Sequence, residues 1–337
     1  MKDLGYDIIV MIKKNIVEGS YMKKILITGA LGQIGTDLTR YMRNIYGQDN
    51  VLPSSRKRRE DHPLMNEGNF ETLDVLNYKV LEEVVKKHNI THIVHLAAIL
   101  SGTGEKNPQV AWDINMNGLY NVLEVSRIYN LSVLIPSSIA VFGESTPKNQ
   151  TPQDTIMRPS TIYGVSKVSG ELLADYYHSK FGVDTRGVRF PGLISSDALP
   201  GGGTTDYAVH IFYEAIKNKK YASFIDKGTF MDMMYMPDAL KAIVQLMEAD
   251  ESKLKHRNAF NISAMSFDPE MLGKEIKKHI PEFELDYEVD EDLQKIANSW
   301  PNSLDDSEAR EQWGWEPEYD LTSMTKDMLE KLKRRTV

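Results

Sequence analysis

The chain has 337 residues, 41% hydrophobic and 26% charged, with a formal net charge of −8 at pH 7 and no cysteine. That length can bury a large core in two lobes, and the composition is that of a soluble globular protein. The acidic balance argues against nucleic acid or an anionic membrane as main partner, the lack of cysteine removes disulfides, Cys-ligated zinc and thiol nucleophiles, and no apolar run approaches the roughly 18 residues of a membrane span.

A cytoplasmic protein is expected. Residues 1–21 read as an N-terminal extension, since the apolar stretch 8–12 is too short and too closely flanked by charge for a signal peptide. Either Met22 is the physiological start or the segment is a small peripheral helix.

The first strand is predicted over residues 24–28, running into Gly29-Ala30-Leu31-Gly32-Gln33-Ile34-Gly35, a helix to about Tyr46 and a second strand at Val51-Leu52. Strand, glycine-rich turn, helix and strand within about thirty residues is the dinucleotide-binding unit. The glycines allow a tight turn and close approach of backbone to a pyrophosphate, and the helix N-terminus offers free N–H groups to the anion. The alternative is a generic βα turn. The spacing here is Gly-x-x-Gly-x-x-Gly, a variant of the usual fingerprint.

Further units follow the same rhythm: a strand over 69–73 ending at Asp74-Val75, a helix over 80–88, and a strand over 92–96 ending at Ala97-Ala98. A helix over 110–129 leads to a strand at 133–136 and then Ser137-Ser138. After a polar loop, Tyr163-Gly164-Val165-Ser166-Lys167 opens a helix to about Phe181, and a strand over 185–190 ends at Pro191. The alternation predicts an α/β fold with a doubly wound parallel sheet. Ligands of such sheets lie at the carboxyl ends of strands, so Gly29, Ala97, Ser138 and Pro191 should converge on one cleft.

Tyr163 and Lys167 are four residues apart, hence one turn apart on one helix face. An ammonium beside a phenol favours the phenolate, which makes Tyr163 a candidate general acid/base. The spacing also arises by chance as two solvated side chains. His88, His92 and His95 straddle a predicted helix end and a strand, so no shared face and no metal site is expected.

The last third has a different texture. Gly201-Gly202-Gly203-Thr204-Thr205 is a flexible turn or a hinge, followed by an amphipathic helix to about Lys217 and short strands near 221–225, 260–263 and 283–287. The domain division expected is 22–190 for dinucleotide binding and 191–337 for a smaller, discontinuous α/β substrate lobe, with some segments returning to the first domain. Trp300 packs that lobe or closes its pocket, and residues 325–334 read as a solvated amphipathic helix.

Gly29-x2-Gly32-x2-Gly35, Ser138 and Tyr163-x3-Lys167 together resemble the extended short-chain dehydrogenase/reductases, over residues 23 to about 330. Ser138 stands 25 residues before Tyr163 and looks like that family's active-site serine, and Asn115 sits where the family places a structural asparagine. Three segments, Pro200 to Ala208, Met234 to Ala239 and Ile296 to Pro301, are similar to the short-chain L-threonine 3-dehydrogenases. The resemblance implies a Rossmann domain with NAD held by Gly29, Gly32, Gln33, Ile34, Gly35, Ser55, Arg56, Asp74, Val75, Leu96, Ala97, Ala98, Asn115, Tyr163, Lys167 and Pro191. It implies catalysis by Ser138, Tyr163 and Lys167 without a metal, with Lys167 lowering the pKa of Tyr163. Threonine contacts are implied at Ser101, Ser138, Tyr163, Thr204 and Thr205. It further implies a homodimer through the helices at 110–129 and 163–181, and a product taken by a coenzyme A-dependent ligase or decarboxylated to aminoacetone.

Two departures matter. Nucleotide-sugar epimerases and dehydratases share the core but often carry an arginine for the sugar diphosphate where this chain has Met231-Asp232-Met233, which points to a small substrate without phosphate. After the second strand, where the family usually has an aspartate for the NAD ribose, this chain reads Ser54-Ser55-Arg56-Lys57-Arg58-Arg59, which suits the 2′-phosphate of NADP or is a solvated basic loop. The resemblance favours NAD, and NADP stays possible. The alternatives are a nucleotide-sugar epimerase or dehydratase and, more remotely, a non-catalytic cofactor sensor.

Overall fold

The computed structural model describes residues 22–197 and 202–336. The extension expected over 1–21, and Pro200 and Gly201 of the glycine run, lie outside the described residues. Strands β1 (Ile25–Thr28), β2 (Val51–Ser55), β3 (Glu71–Thr72), β4 (His92–His95), β5 (Ser132–Leu134), β6 (Ser137–Ser138), β7 (Thr185–Arg186) and β8 (Val188–Phe190) alternate with helices. Those helices are α1 (Gln33–Tyr46), α2 (Tyr78–Lys87), α3 (Ser101–Lys106), α4 (Pro108–Trp112), α5 (Gly118–Tyr129) and α6 (Ile162–Phe181). The main sheet is parallel throughout, in the order β3-β2-β1-β4-β5-β7. β1 lies between β2 and β4 with all four of its residues buried, which is why it reads as an unbroken apolar run. This is the expected doubly wound Rossmann architecture.

Local rules set the ends of each element. Thr161 caps α6 by accepting the Gly164 N–H at 3.0 Å, and Gly182 closes the helix in the left-handed region at φ 70°. Asn77 caps α2 and Asn130, at φ 52°, ends α5. The single helix expected over 110–129 is instead α4, a π-helical stretch over Asp113–Asn117, and α5. Ser101 opens the short helix α3, and the strand expected over 69–73 is only β3.

The strands expected over 133–136 and 185–190 each break in two. Pro136 has no N–H for the ladder, and a Cβ on Gly187 would stand 2.5 Å from the Ile135 carbonyl oxygen. The ladder is interrupted there: β5 and β7 belong to the main sheet, while β6 and β8 pair beyond the break in the same register and join β12 (Phe260–Asn261) in a second parallel sheet, order β12-β8-β6.

The remaining chain adds β9 (Gly192–Ile194), α7 (Tyr207–Lys217), β10 (Lys220–Ser223), β11 (Met231–Tyr235), α8 (Met236–Glu248), β13 (Met265–Phe267), α9 (Pro269–Lys277), β14 (Glu284–Tyr287), α10 (Glu291–Ser299), α11 (Ser307–Trp313) and α12 (Leu321–Thr336). One core joins α7, β11, Phe267, Trp300 and the Met324, Met328, Leu329 and Leu332 face of α12. Trp300 therefore packs, and α12 is amphipathic with one face anchored. A second core sets Ala239, Ile243 and Leu246 of α8 with Trp315 against Ile25, Ile27 and Leu38. The chain after β9 thus contributes to both cores.

Beneath α6 lies a buried ion pair: Arg189 meets Glu171 through Nε–Oε1 at 3.1 Å and Nη2–Oε2 at 2.9 Å. Arg189 Nη1 also donates to the Gln153 carbonyl and Asn261 Oδ1, so β8, α6, β12 and the 153 loop meet on one guanidinium. Removing one partner leaves the other charged and dry. Arg189→Met should cost about 3–5 kcal/mol in denaturant unfolding, and adding Glu171→Leu should recover most of that loss.

Candidate active site

The glycine turn sets the floor of the cleft. Gly29 sits at φ 70°, and a Cβ there would stand 2.7 Å from the Ala97 nitrogen, at the end of β4. A Cβ on Gly35 would meet Ala30 Cα and the Gly29 carbonyl oxygen at 2.6 Å. Gly32 is exposed, and only the Gly29 carbonyl oxygen stands near its missing side chain, at 3.3 Å. Two glycines are therefore needed for packing and the third leaves the face of the turn open. Helix α1 starts without a side-chain cap, and the buried Nε2 of Gln33 has no partner. An open turn, an uncapped helix start and an orphan amide fit a dinucleotide pyrophosphate. Thr28 Oγ1 meets His95 Nδ1 at 2.9 Å and accepts the Ala97 N–H at 3.4 Å, which holds Leu96, Ala97 and Ala98 beside the turn. Burial and the Lys167 charge push His95 down to about 3, so it stays neutral.

The second wall carries the candidate catalytic groups. Ser138 ends β6, and its Oγ accepts the Ala140 N–H at 3.2 Å. Tyr163 lies in the first turn of α6, and Lys167 Nζ stands 5.6 Å from its ring centroid while donating to the Pro136 carbonyl at 2.7 Å. Burial pushes Tyr163 up to about 12, opposed by a hydrogen bond with Ser138. The net direction is opposite to the expected lowering: desolvation of the phenolate outweighs the Ser138 hydrogen bond. Burial pulls Lys167 down to about 8, opposed by Glu171. Asn115, in the π-helical stretch, accepts the Ile99 N–H and donates to the Ile99 carbonyl and Ser166 Oγ, tying the β4 exit to α6. One lone pair of its Oδ1 remains for any other contact.

The other expected residues spread around the cleft. Val75 is buried below Gly118, and Asp74 turns its Oδ1 to the Leu76 N–H of its own loop. Ser55 ends β2 and Arg56 is exposed beyond it. Pro191 is buried between β8 and β9. Ser101 is buried at the start of α3, Thr204 is buried with its Oγ1 unpartnered, and Thr205 packs beside Gly192. A cavity of about 1220 Å³ opens between α3 and the glycine run, lined by Gly102, Thr103, Arg158, Thr161, Gly203 and Asp206 among others. A Cβ on Gly102 would come within 2.7 Å of the Gly202 carbonyl oxygen, so the first turn of α3 nearly touches the glycine run. His88, His92 and His95 point to Glu71, Thr91 and Thr28 respectively, and among the described residues no three His, Asp or Glu side chains gather as metal ligands. No helix among those residues is long and apolar enough to cross a membrane.

Residues 25–263 match the model of the NAD dependent epimerase/dehydratase family. The chain belongs to that family. An uncharacterised epimerase/dehydratase of Staphylococcus aureus (strain USA300) is 58% identical over 93% of this chain and 98% of its own. The structure of an L-threonine dehydrogenase from Clostridium difficile superposes with a TM-score of 0.92 at 60% identity, covering 94% of this chain and 99% of that one. A monomeric L-threonine 3-dehydrogenase from a metagenome gives 0.88 at 44% identity over 93% and 100%.

Sequence reasoning missed the groups that hold this epimerase/dehydratase site in place. Glu105 of α3 accepts the Ile162 N–H at 2.7 Å, capping α6 from another element. Asp206 Oδ2 accepts the N–H groups of Gly202 and Gly203 at 2.8 and 2.6 Å and fixes the glycine run. Gly164 has the Ala140 carbonyl against it where a side chain would be. Only the last had a readable signal, as the glycine inside Tyr163-x3-Lys167. Losing the cap in Thr161→Ala should lower stability by about 1 kcal/mol, read as a fall in Tm of about 2 °C.

Proposed function

We propose that this protein oxidises the C3 hydroxyl of L-threonine to the ketone, giving 2-amino-3-oxobutanoate and a reduced nicotinamide. The observation that carries the reading is the Ser138–Tyr163–Lys167 cluster at the strand ends beside the glycine turn, in a chain 60% identical to a threonine dehydrogenase. When bound, the nicotinamide accepts the C3 hydride. Ser138 and Tyr163 hold the hydroxyl, and Tyr163 removes its proton. Lys167 supplies positive charge one helical turn away, which favours the phenolate. Gln33, Gly32 and the N-terminus of α1 hold the pyrophosphate, with Gly29 and Gly35 making the turn possible.

The amino-acid end needs partners for a carboxylate and an ammonium. The unpartnered Thr204 Oγ1, the Thr205 hydroxyl and Ser101 supply donors where the glycine run and the start of α3 meet at Gly202 and Gly102. Met231, which stands where many nucleotide-sugar enzymes carry an arginine, is fully buried and uncharged, beside an Asp232 that accepts Ser263 Oγ and the Leu304 N–H. It offers a sugar diphosphate no cation, so UDP-glucose should leave the melting temperature unchanged while L-threonine raises that of the cofactor complex.

The helices α5 and α6 leave Tyr120, Ile128, Leu172, Tyr176 and Phe181 exposed. This apolar face fits a second copy of the chain, although one solved relative is monomeric. Sedimentation velocity should show a dimer that Leu172→Glu converts to monomer. A monomeric parent chain would sink that part of the proposal.

Absorbance at the reduced-nicotinamide band with L-threonine tests the reaction. Tyr163→Phe should lose at least a thousandfold in kcat with cofactor binding nearly intact. Because oxidation needs the deprotonated phenol, kcat/KM should rise with pH, and Lys167→Met should move that limb to higher pH. An unshifted limb would remove Lys167 from the scheme.

A further inference from the structure

In a dinucleotide fold the residue at the carboxyl end of the second strand meets the adenosine ribose. A carboxylate there accepts the 2′-hydroxyl of NAD, whereas a nearby arginine accommodates a 2′-phosphate. Here β2 ends at Ser55, a small uncharged side chain, and Arg56 follows at once. The Ala30 N–H donates to the Ser54 carbonyl at 2.9 Å, so the end of β2 lies directly against the glycine turn.

The basic run that follows is folded onto that turn. Arg59 Nη2 donates to the Leu31 carbonyl at 3.1 Å, inside the turn itself. The His62 N–H donates to the Arg59 carbonyl at 2.9 Å, and the His62 ring reaches Thr36 Oγ1 of α1 at 3.3 Å. Both ends of the loop are thereby seated beside the start of α1. Arg58 is taken up by Glu60 at 2.7 Å and by the Phe70 ring at 5.9 Å. Arg56 and Lys57 are exposed and have no ion-pair partner among the described residues. Of the nearby carboxylates, Glu60 is held by Arg58 and Asp74 by its own Leu76 N–H.

We propose that Ser55, Arg56 and Arg59 form a site for a phosphate on the adenosine 2′-oxygen, so that this chain takes the 2′-phosphorylated nicotinamide dinucleotide in preference to the plain one. Ser55 leaves room and a hydroxyl where a carboxylate would repel the dianion. Arg56 supplies an unpaired guanidinium, with its planar fork suited to phosphate oxygens. Arg59 adds charge from the side of the glycine turn. The site rests on the dinucleotide-binding reading but not on the identity of the alcohol substrate.

Calorimetric titration of the whole chain with NADP and with NAD, in the same buffer at about 0.1 M salt, tests it without turnover. NADP should bind at least threefold tighter than NAD, and adenosine 2′,5′-bisphosphate should bind tighter than ADP. Arg56→Ala should weaken NADP about tenfold and leave NAD within twofold. Ser55→Asp should reverse the preference. Tighter binding of NAD by the parent chain, or equal losses for both dinucleotides in Arg56→Ala, would overturn the proposal while leaving the nucleotide site intact. Binding of neither dinucleotide would overturn the proposal and that site together, and threonine-dependent turnover is read separately.

Discussion

The hydrogen bond from Lys167 Nζ to the Pro136 carbonyl joins the site's one flexible cation to the point where the sheet breaks. Pro136 interrupts the β5 ladder for want of an N–H. The pairing of β5 ends there, and two residues later Ser138 ends β6 in the second sheet. The Pro136 carbonyl between them is reached by the lysine side chain of α6. The break that places the serine therefore also fixes the ammonium, and Tyr163 lies between them on the preceding helical turn.

The supports of α6 come from outside the helix. Thr161 and Glu105 cap its first turn, Asn115 grips Ser166, and Arg189 holds Glu171 one turn beyond Lys167. Glu171 opposes the desolvation of Lys167, while Arg189 neutralises Glu171. Lys167 therefore neither pairs fully with a carboxylate nor loses its proton outright at neutral pH. A direct ion pair would hold the ammonium away from Tyr163, and an apolar neighbour would discharge it. The buried pair beneath the helix sets an intermediate state by keeping the carboxylate occupied.

The parts legible in the sequence were those encoded by local pattern. The apolar run of β1, the three glycines and the Tyr163-x3-Lys167 spacing each act within a few residues, so the Rossmann unit and the catalytic helix could be read directly. The splitting of 185–190 at Gly187 could not, because the clash that requires glycine there comes from Ile135, some fifty positions earlier. The π-helical stretch that aims Asn115 at Ile99 and Ser166 has no period of its own in the sequence. The direction of the Tyr163 shift was misjudged for a related reason: the spacing reveals the ammonium, whereas burial depends on how the second lobe covers the cleft.

The electrostatics of the cleft divide into two ends. At the catalytic end charge is scarce: His95 is held neutral by burial, Asp232 turns away into the lobe core, and Lys167 is partly discharged. Small changes in charge there act through a low dielectric and have large effects on Tyr163. At the nucleotide end charge is abundant and exposed, in Arg56, Lys57 and Arg59, and is screened by salt. The buried end can tune a proton transfer and the exposed end can sort dinucleotides. The fold separates the two tasks, because the end of β4 in the main sheet and the end of β6 in the second sheet carry the first, and the end of β2 carries the second.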